Sequence, residues 1–179
     1  MSYLFCDTET SGFKVNRIIQ LAAILTDSNL REIACLNTLI KPDGWEIEQG
    51  AFEAHGIPIE NCERFGVDIE TALWLFDYLA AKADHIVCHN LRFDDGVIAG
   101  EYRRLGRVWS KPGICTMERS RDLVKIPPTP AMVRAGRRHF KNPTLMECHK
   151  HFFGCGFEGS HSAIEDVRAT IKVFRELQK

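Results

Sequence analysis

Two acidic residues near the N-terminus, Asp7 and Glu9, are separated by one residue at the end of an apolar run. Side chains of a β-strand alternate between its two faces, so this spacing directs both carboxylates to the same face. Two such carboxylates repel each other unless a cation lies between their oxygens, and hard oxygen ligands suit Mg²⁺ or Mn²⁺. The pair alone is weak evidence for a metal site, because most acidic pairs in proteins are simply hydrated.

Two later segments add residues that fit the same chemistry. Asp94 ends the run His89-Asn90-Leu91-Arg92-Phe93-Asp94, and His161 precedes Asp166 by five positions. Carboxylates bind divalent metals, whereas an imidazole is suited to proton transfer near neutral pH. Asp94 has a simpler interpretation as an acid favoured by the dipole at a helix N-terminus. The three motifs in this order nevertheless predict one metal-dependent hydrolytic site.

The elements that must position these residues follow from hydrophobic periodicity and turn signals. Strands are expected at about 2–7, 17–26 and 31–40 as an antiparallel meander, followed by short strands at about 86–88 and 114–115. Helices are expected at about 48–54, from Asp68 to Ala80, and at about 92–105, 116–123, 144–153 and 163–178. A proline-rich loop separates the fourth and fifth of these helices. The pattern predicts an α/β fold with a mixed five-stranded sheet flanked by helices, and carboxylates at its C-terminal edge.

His161 and Asp166 cannot share one face of a helix, because residues five apart on an ideal helix are separated by ~140°. Ser162 and Glu165 have the spacing of a capping box. We therefore expect a helix to begin at Ser162. His161 would then lie just outside the helix, free to approach a water molecule, while Asp166 would project from its second turn.

Length and composition limit the class of protein. The chain has 179 residues, 45% of them hydrophobic and 26% charged, which fits a single domain spanning 1–179. It has no apolar run of 18 residues and no signal-peptide pattern, so we expect a cytoplasmic location and no membrane partner.

Seven cysteines are an odd number and include no C-x-x-C pair, so no disulfide framework is predicted. A zinc site could be read from Cys148, His149, His151 and Cys155. That cluster lies largely in a predicted helix, however, and has no second ligand pair with zinc-site spacing.

Charge is distributed unevenly along the chain, although the net charge is only −1. Residues 101–141 contain eleven basic and three acidic residues, and the rest of the chain is correspondingly acidic. A basic segment beside an acidic metal site suits an enzyme that acts on phosphodiesters. Arg134, Arg137, Arg138 and Lys141 are candidates for phosphate contacts; the alternative is a hydrated helix surface followed by a basic loop.

Together these residues resemble a known family over nearly the whole chain. The matching segments are Asp7-Thr8-Glu9-Thr10-Ser11-Gly12, His89 to Asp94, His161 with Asp166, and Ala54-His55-Gly56-Ile57. They resemble the DnaQ-like 3′–5′ exonucleases of the DEDD superfamily, in its His-containing branch. The resemblance implies a ribonuclease H-like fold.

The resemblance also implies roles for the acidic residues and the histidine. Asp7, Glu9, Asp94 and Asp166 would bind two Mg²⁺ or Mn²⁺ ions ~3.5–4 Å apart. Asp7 would bridge the ions, Glu9 and Asp166 would complete the ion that holds the attacking water, and Asp94 would support the other ion. His161 would be the general base.

Substrate contacts are predicted around this centre, by Thr8, Thr10, Phe13, His55, Asn90, Arg137 and Arg138. An aromatic ring at Phe13 would stack on any base, although a place in the core is an equal alternative. His55 and His89 are expected to be structural or to contact substrate. Gln20 departs from the family pattern, since many relatives have a glutamate at this position.

The leading hypothesis is a metal-dependent exonuclease that releases nucleoside 5′-monophosphates from the 3′ end of a nucleic acid, with single-stranded DNA favoured. The alternatives are an exoribonuclease that trims RNA 3′ ends, a proofreading subunit attached to a polymerase, and a non-catalytic nucleic-acid-binding or scaffold module. A polymerase and a second copy of the chain stay open as partners. Selection between DNA and RNA depends on whether the site accepts a 2′-hydroxyl.

Overall fold

A mixed five-stranded sheet forms the centre of the fold, with its strands in the order β3-β2-β1-β4-β5. The computed structural model describes all residues from 1 to 179. The strands are β1 (Tyr3–Thr10), β2 (Ile18–Thr26), β3 (Glu32–Leu39), β4 (His85–Cys88) and β5 (Gly113–Cys115). The first three strands are antiparallel neighbours, and β4 and β5 extend the sheet in parallel. The predicted α/β fold, ribonuclease H-like in its mixed sheet, is confirmed.

Eight helices surround the sheet. They are α1 (Gln49–His55), α2 (Ile59–Phe65), α3 (Ile69–Ala80), α4 (Leu91–Arg104), α5 (Thr116–Val124), α6 (Pro130–Arg134), α7 (Leu145–Phe153) and α8 (Ala163–Glu176). The larger core cluster contains Phe76 of α3 and Tyr102 of α4, whereas a second cluster contains Phe174 of α8 packed edge-on against Phe5. The apolar stripes of the helices therefore cover both faces of the sheet. None of the helices is both long and apolar enough to span a membrane.

Strand β1 is longer than predicted, and the extra length carries the acidic pair. Its antiparallel pairing with β2 continues as far as Thr10, whereas its parallel pairing with β4 ends at Phe5. Asp7 and Glu9 therefore lie on a part of β1 that has no neighbouring strand on its β4 side. The register shifts between Glu9 and Thr10, as is common where a strand passes an active site.

Two short helices were missed by the sequence pattern. Helix α2 buries a single residue, Cys62, so it has no apolar stripe from which a period could be read. Helix α6 lies inside the predicted proline-rich loop. Thr129 caps it by accepting a hydrogen bond from the Met132 N–H, and Pro130 occupies the first turn, where proline is favourable because no N–H is needed.

The prediction of a capping box at the start of α8 is wrong, although the helix does begin directly after Ser162. The Ser162 side chain makes no cap hydrogen bond. The Ala163 N–H donates instead to Gln20 Oε1 at 3.2 Å, so a residue of β2 satisfies the helix terminus. The capping box of this chain lies at the start of α7, between Thr144 and Glu147.

Candidate active site

Asp94 is held against the overhanging part of β1 by Thr8. Asp94 lies in the first turn of α4, its side chain is buried, and its Oδ1 accepts hydrogen bonds from the Thr8 N–H at 3.0 Å and the Thr8 hydroxyl at 2.9 Å. The bond from the Thr8 N–H to Asp94 takes the place of a bond to a neighbouring strand, because β1 has no strand partner on this side. The Thr8 hydroxyl, predicted to bind substrate, is thus engaged within the protein.

Asp94 rather than the adjacent Asp95 faces the acidic pair. Asp95 Oδ1 accepts a hydrogen bond from Trp109 Nε1 at 2.8 Å, so the Asp95 side chain is directed towards Trp109. Asn90 precedes α4 with a left-handed backbone (φ +79°), a conformation that asparagine tolerates better than most residues. Its side chain is exposed and makes no cap hydrogen bond, so it is available at the mouth of the site.

The predicted acidic residues and the histidine converge on one open cavity of about 460 Å³. The residues that line this site cavity are Asp7, Thr8, Glu9, Phe13, His89, Asn90, Phe93, Asp94, Leu145, His161 and Asp166. Three separate motif segments, and Leu145 from a fourth part of the sequence, therefore meet at the end of β1. Phe93 and Leu145 were not predicted as site residues. Phe93 could have been proposed from its place beside Asp94, whereas Leu145 carries no motif signal.

The carboxyl groups of this cavity all have raised pKa values. Burial, followed by the charges of Asp94, Asp166 and Glu9, raises the pKa of Asp7 well above its usual range. Burial and the neighbouring carboxylates raise the pKa of Glu9 to about 8. Burial raises the pKa of Asp94 to about 7 against the opposing effect of the Thr8 hydrogen bonds, and raises that of Asp166 to about 6. Without a counter-ion, this cluster resists full ionisation.

The raised pKa values and the positions of the ligand atoms both bear on whether a divalent cation fits the site. Glu9, His161 and Asp166 place potential ligand atoms within 4.8 Å of one another, and Asp7 and Asp94 share their cavity. Buried carboxylates that repel each other are stabilised by a hard cation, and oxygen donors suit Mg²⁺ or Mn²⁺. The residues present therefore fit the metal chemistry that the sequence predicts.

His161 has a strained backbone outside α8. Its φ is +68°, which is uncommon for a residue other than glycine and often marks a functional site. Its N–H donates to Asp166 Oδ2 at 3.2 Å, so the side chain five residues later holds this backbone in place. The imidazole is exposed and lines the site cavity.

His89 lines the site cavity and joins three parts of the chain. Its Nδ1 lies 3.0 Å from Thr116 Oγ1, and its Nε2 lies 3.0 Å from the carbonyl oxygen of Pro143. Because a carbonyl only accepts hydrogen bonds, Nε2 carries the proton. Burial lowers the pKa of His89 to about 4, so the ring stays neutral. Of the two interpretations for His89, the structure supports the structural one.

A second cavity, of about 240 Å³, adjoins the site cavity through Glu9 and Phe13. It contains Thr10 and His55, two of the predicted substrate contacts. Phe13 is 89% exposed, which rules out a place in the core. His55 Nδ1 accepts a hydrogen bond from the Ile57 N–H at 2.9 Å, whereas its Nε2 is buried without a partner. Burial lowers the pKa of His55.

The basic residues of segment 101–141 do not line either cavity. Arg137 and Arg138 are exposed in the loop that follows α6. Lys141 Nζ instead bonds both carboxylate oxygens of Glu147 at 2.7 Å, at the start of α7. Arg134 ends α6.

The alternative zinc cluster does not converge. His149 is buried, its Nδ1 lies 3.1 Å from the Cys155 carbonyl oxygen, and its ring packs against Phe153 and Phe157. Glu9, His161 and Asp166 form the one group of three potential ligands that comes together.

Comparison with known proteins agrees with this geometry. The model of the RNase T family of exonucleases matches residues 4–174. No curated protein matched the chain.

Solved structures of Escherichia coli exonuclease I have a similar fold. A complex with a dT13 oligonucleotide superposes with a TM-score of 0.82 at 23% identity, over 99% of this chain and 41% of that chain. A zinc-bound complex with single-stranded DNA gives 0.76 at 25% identity, over 96% and 39% of the two chains. A complex with a dA16 oligonucleotide gives 0.77 at 24% identity, over 96% and 39%.

The chain thus spans about two fifths of the length of exonuclease I. The family match extends over all three motifs that meet in the site cavity. The chain therefore belongs to the RNase T exonuclease family, in the DEDD superfamily.

Proposed function

We propose that residues 1–179 form a single exonuclease domain that removes nucleotides from the 3′ end of a nucleic acid as nucleoside 5′-monophosphates. The observation that carries this proposal is the convergence of Asp7, Glu9, Asp94, Asp166 and His161 on one cavity. Loss of one of these side chains would have favoured a non-catalytic binding module, and all five are present.

Two divalent cations, Mg²⁺ or Mn²⁺, would be held by the four carboxylates. Asp7 is the proposed bridge because Asp94, Asp166 and Glu9 all raise its pKa. Glu9 and Asp166 would hold one ion, and Asp94, oriented by Thr8, would support the other. When bound, the pair of cations stabilises both the attacking and the leaving oxygen of the displacement.

His161, as in the His-containing branch, would accept the proton of the attacking water on a ring nitrogen. Its ring lies beside Glu9 and Asp166, so a water molecule oriented by these carboxylates would be within its reach. The bond from the His161 N–H to Asp166 keeps the ring at the mouth of the cavity. The ring is exposed and can pass the proton on to bulk water.

Single-stranded DNA is the proposed substrate. Phe13 stands between the site cavity and the second cavity, exposed as a stacking surface for the last base. Thr10 and His55 line the second cavity and Asn90 lines the site cavity, and these residues would contact the last nucleotide. Exonuclease I, which shares the fold, was solved with a dT13 and with a dA16 oligonucleotide. Stacking of a base on Phe13 would tolerate any base.

Digestion of matched oligonucleotides tests the proposal. DNA and RNA strands with a free or phosphorylated 3′ end would be incubated with Mg²⁺, and the products resolved by length. We expect stepwise shortening of 3′-hydroxyl DNA to mononucleotides, inhibition by a 3′-phosphate, and no reaction of Asp7→Asn. Faster digestion of RNA would identify an exoribonuclease, and shortening from the 5′ end would contradict the proposed direction.

A further inference from the structure

The loop between β1 and β2, residues 11–17, presents the most exposed aromatic ring of the chain next to the acidic cavity. Phe13 is 89% exposed and Val15 is 54% exposed, whereas Ser11 at the start of the loop is 1% exposed. Apolar side chains at such a loop tip are not stabilised by burial. Something else must hold the backbone that carries them.

Part of the restraint is internal to the loop. The Ser11 N–H donates to the Arg17 carbonyl oxygen at 2.9 Å, and the Ser11 hydroxyl donates to the Val15 carbonyl oxygen at 2.5 Å. Arg17 Nε donates to the buried Glu101 of α4 at 2.9 Å. These bonds close the base of the loop, but none of them involves Phe13 or its immediate neighbours.

Glu48 supplies the remaining restraint from outside the loop. Its Oε1 accepts a hydrogen bond from the Lys14 N–H at 2.7 Å, and its own N–H donates to the Ser11 carbonyl oxygen at 2.7 Å. The side chain also lies against Gly12, where an added Cβ would be 2.4 Å from the Glu48 carboxyl carbon. Glu48 therefore holds the residues on both sides of Phe13.

The Glu48 carboxylate bonds the loop although Glu48 is the residue at which a helix begins. Glu48 is the N-cap of α1, yet its side chain makes no hydrogen bond to that helix. The preferred N-cap side chains, such as Asp or Ser, bond an N–H of their own helix, whereas the longer Glu48 side chain makes no such bond. It reaches back to the loop instead, and its residue lines the second cavity together with Phe13.

We propose that Glu48 is a positioning residue that fixes Phe13 as a stacking platform for the terminal base of the substrate. This inference rests on the proposed function, because it assumes that a nucleic acid end enters the site cavity. A loop that is already ordered does not lose conformational freedom when the base stacks on it, so binding is tighter. The negative charge of the Glu48 carboxylate is partly offset by the hydrogen bond that it accepts from the Lys14 N–H.

The test is the binding of a single-stranded oligonucleotide with 2-aminopurine at its 3′ end, measured with Ca²⁺ in place of Mg²⁺. Stacking on Phe13 should change the 2-aminopurine fluorescence. Glu48→Ala should weaken binding by about fivefold to a hundredfold, the range of one base–aromatic stacking contact, and should reduce the fluorescence change. Glu48→Gln keeps an oxygen acceptor for Lys14 and should stay within about threefold of the wild type.

Two further variants separate positioning from general damage. Glu63→Ala removes an exposed acid of α2 that lines neither cavity, and binding should be unchanged. Phe13→Ala combined with Glu48→Ala should bind no more weakly than Phe13→Ala alone, because both changes remove the same platform. Additive losses in the double variant would overturn the inference.

The outcomes also distinguish this inference from the proposed function. Failure of the wild type to bind any 3′ end would refute the function itself. Normal binding by Glu48→Ala, with weakened binding by Phe13→Ala, would overturn only the role of Glu48. If Glu48→Ala does not fold, Glu48→Met and Glu48→Gln form the deciding pair, since the methionine keeps the side-chain length but removes the acceptor. Equal binding by these two would refute the proposal.

Discussion

Thr8 donates two hydrogen bonds to a single oxygen of Asp94, one from its N–H and one from its hydroxyl. The residues are 86 positions apart, and the contact forms because β1 continues beyond the last residue that pairs with β4. The carboxylate is thereby oriented before any metal binds. Thr8 acts on the proposed metal centre through Asp94.

This relationship predicts the effect of removing the Thr8 hydroxyl. Thr8→Val keeps the shape and the backbone N–H but deletes one of the two bonds, so Asp94 is less well oriented. We expect metal affinity to fall by about 10- to 100-fold, the usual effect of losing a partner of a metal ligand. Calorimetric titration with Mn²⁺ measures this, and Thr8→Ser, which retains the hydroxyl, is the control. Equal affinity of the valine and serine variants would contradict the prediction.

A second prediction separates the proposed base from the metal ligands. His161→Ala should lower turnover by roughly 10²–10⁴, the usual contribution of general acid–base catalysis, while Mn²⁺ binding is nearly unchanged. Raising the pH should partly restore its activity, because hydroxide then replaces the missing base. Asp7→Asn, in contrast, should lose metal binding and activity together. Near-normal turnover of His161→Ala with an unchanged acidic limb of the pH profile would exclude His161 as the base.

The raised pKa values in the site cavity predict how the stability of the metal-free protein depends on pH. Glu9, with a pKa of about 8, and Asp94, with a pKa of about 7, hold protons in the folded state at pH values where the unfolded chain has lost them. Folded stability from these groups is therefore present at low pH and is lost as the pH rises through the folded pKa. Between pH 6.5 and 8.5 we expect these two groups to cost about 3 kcal/mol of stability in EDTA.

That pH window also avoids the titration of His89, whose lowered pKa of about 4 affects stability only at more acidic pH. Mg²⁺ or Mn²⁺ should abolish the decline, since a ligand bound by the native state alone stabilises it by mass action. Thermal unfolding in EDTA and in metal at both ends of the window measures the difference. A flat profile in EDTA would show that the carboxylates are not buried together as described.

The salt dependence of DNA binding tests whether the basic loop after α6 contacts phosphates. Changing both Arg137 and Arg138 to glutamine should weaken binding of single-stranded DNA and flatten the plot of log affinity against log salt. Each lost phosphate contact should reduce the slope by about 0.7. Arg31→Gln is the matched control, because Arg31 is exposed in the β2–β3 turn, at the end of the sheet opposite the acidic pair. An unchanged slope in the double variant would assign this loop to solvent.

The sequence alone determined the family, the mixed five-stranded sheet and the motif residues that the fold brings to the site cavity. Asp7 and Glu9 share a strand face because of a two-residue period, which is a local property of the chain. The run from His89 to Asp94 predicts Asp94 as a ligand, and the structure brings Asp94 to the cavity while Asp95 bonds Trp109. Such patterns can be recognised in a sequence because each depends only on residues a few positions apart.

Only the tertiary structure decided which side chains support that cavity. Gln20 caps α8 from a distance of 143 residues, His89 bonds Pro143 across 54 residues, and Glu48 holds the loop of Phe13 across 34. The local capping signal failed at Ser162 because Gln20, a residue of β2, accepts the hydrogen bond from the first N–H of α8. The partner of a hydrogen-bonding group is chosen by whatever the packed fold brings within about 3 Å of it, and periodicity along the chain does not encode that proximity.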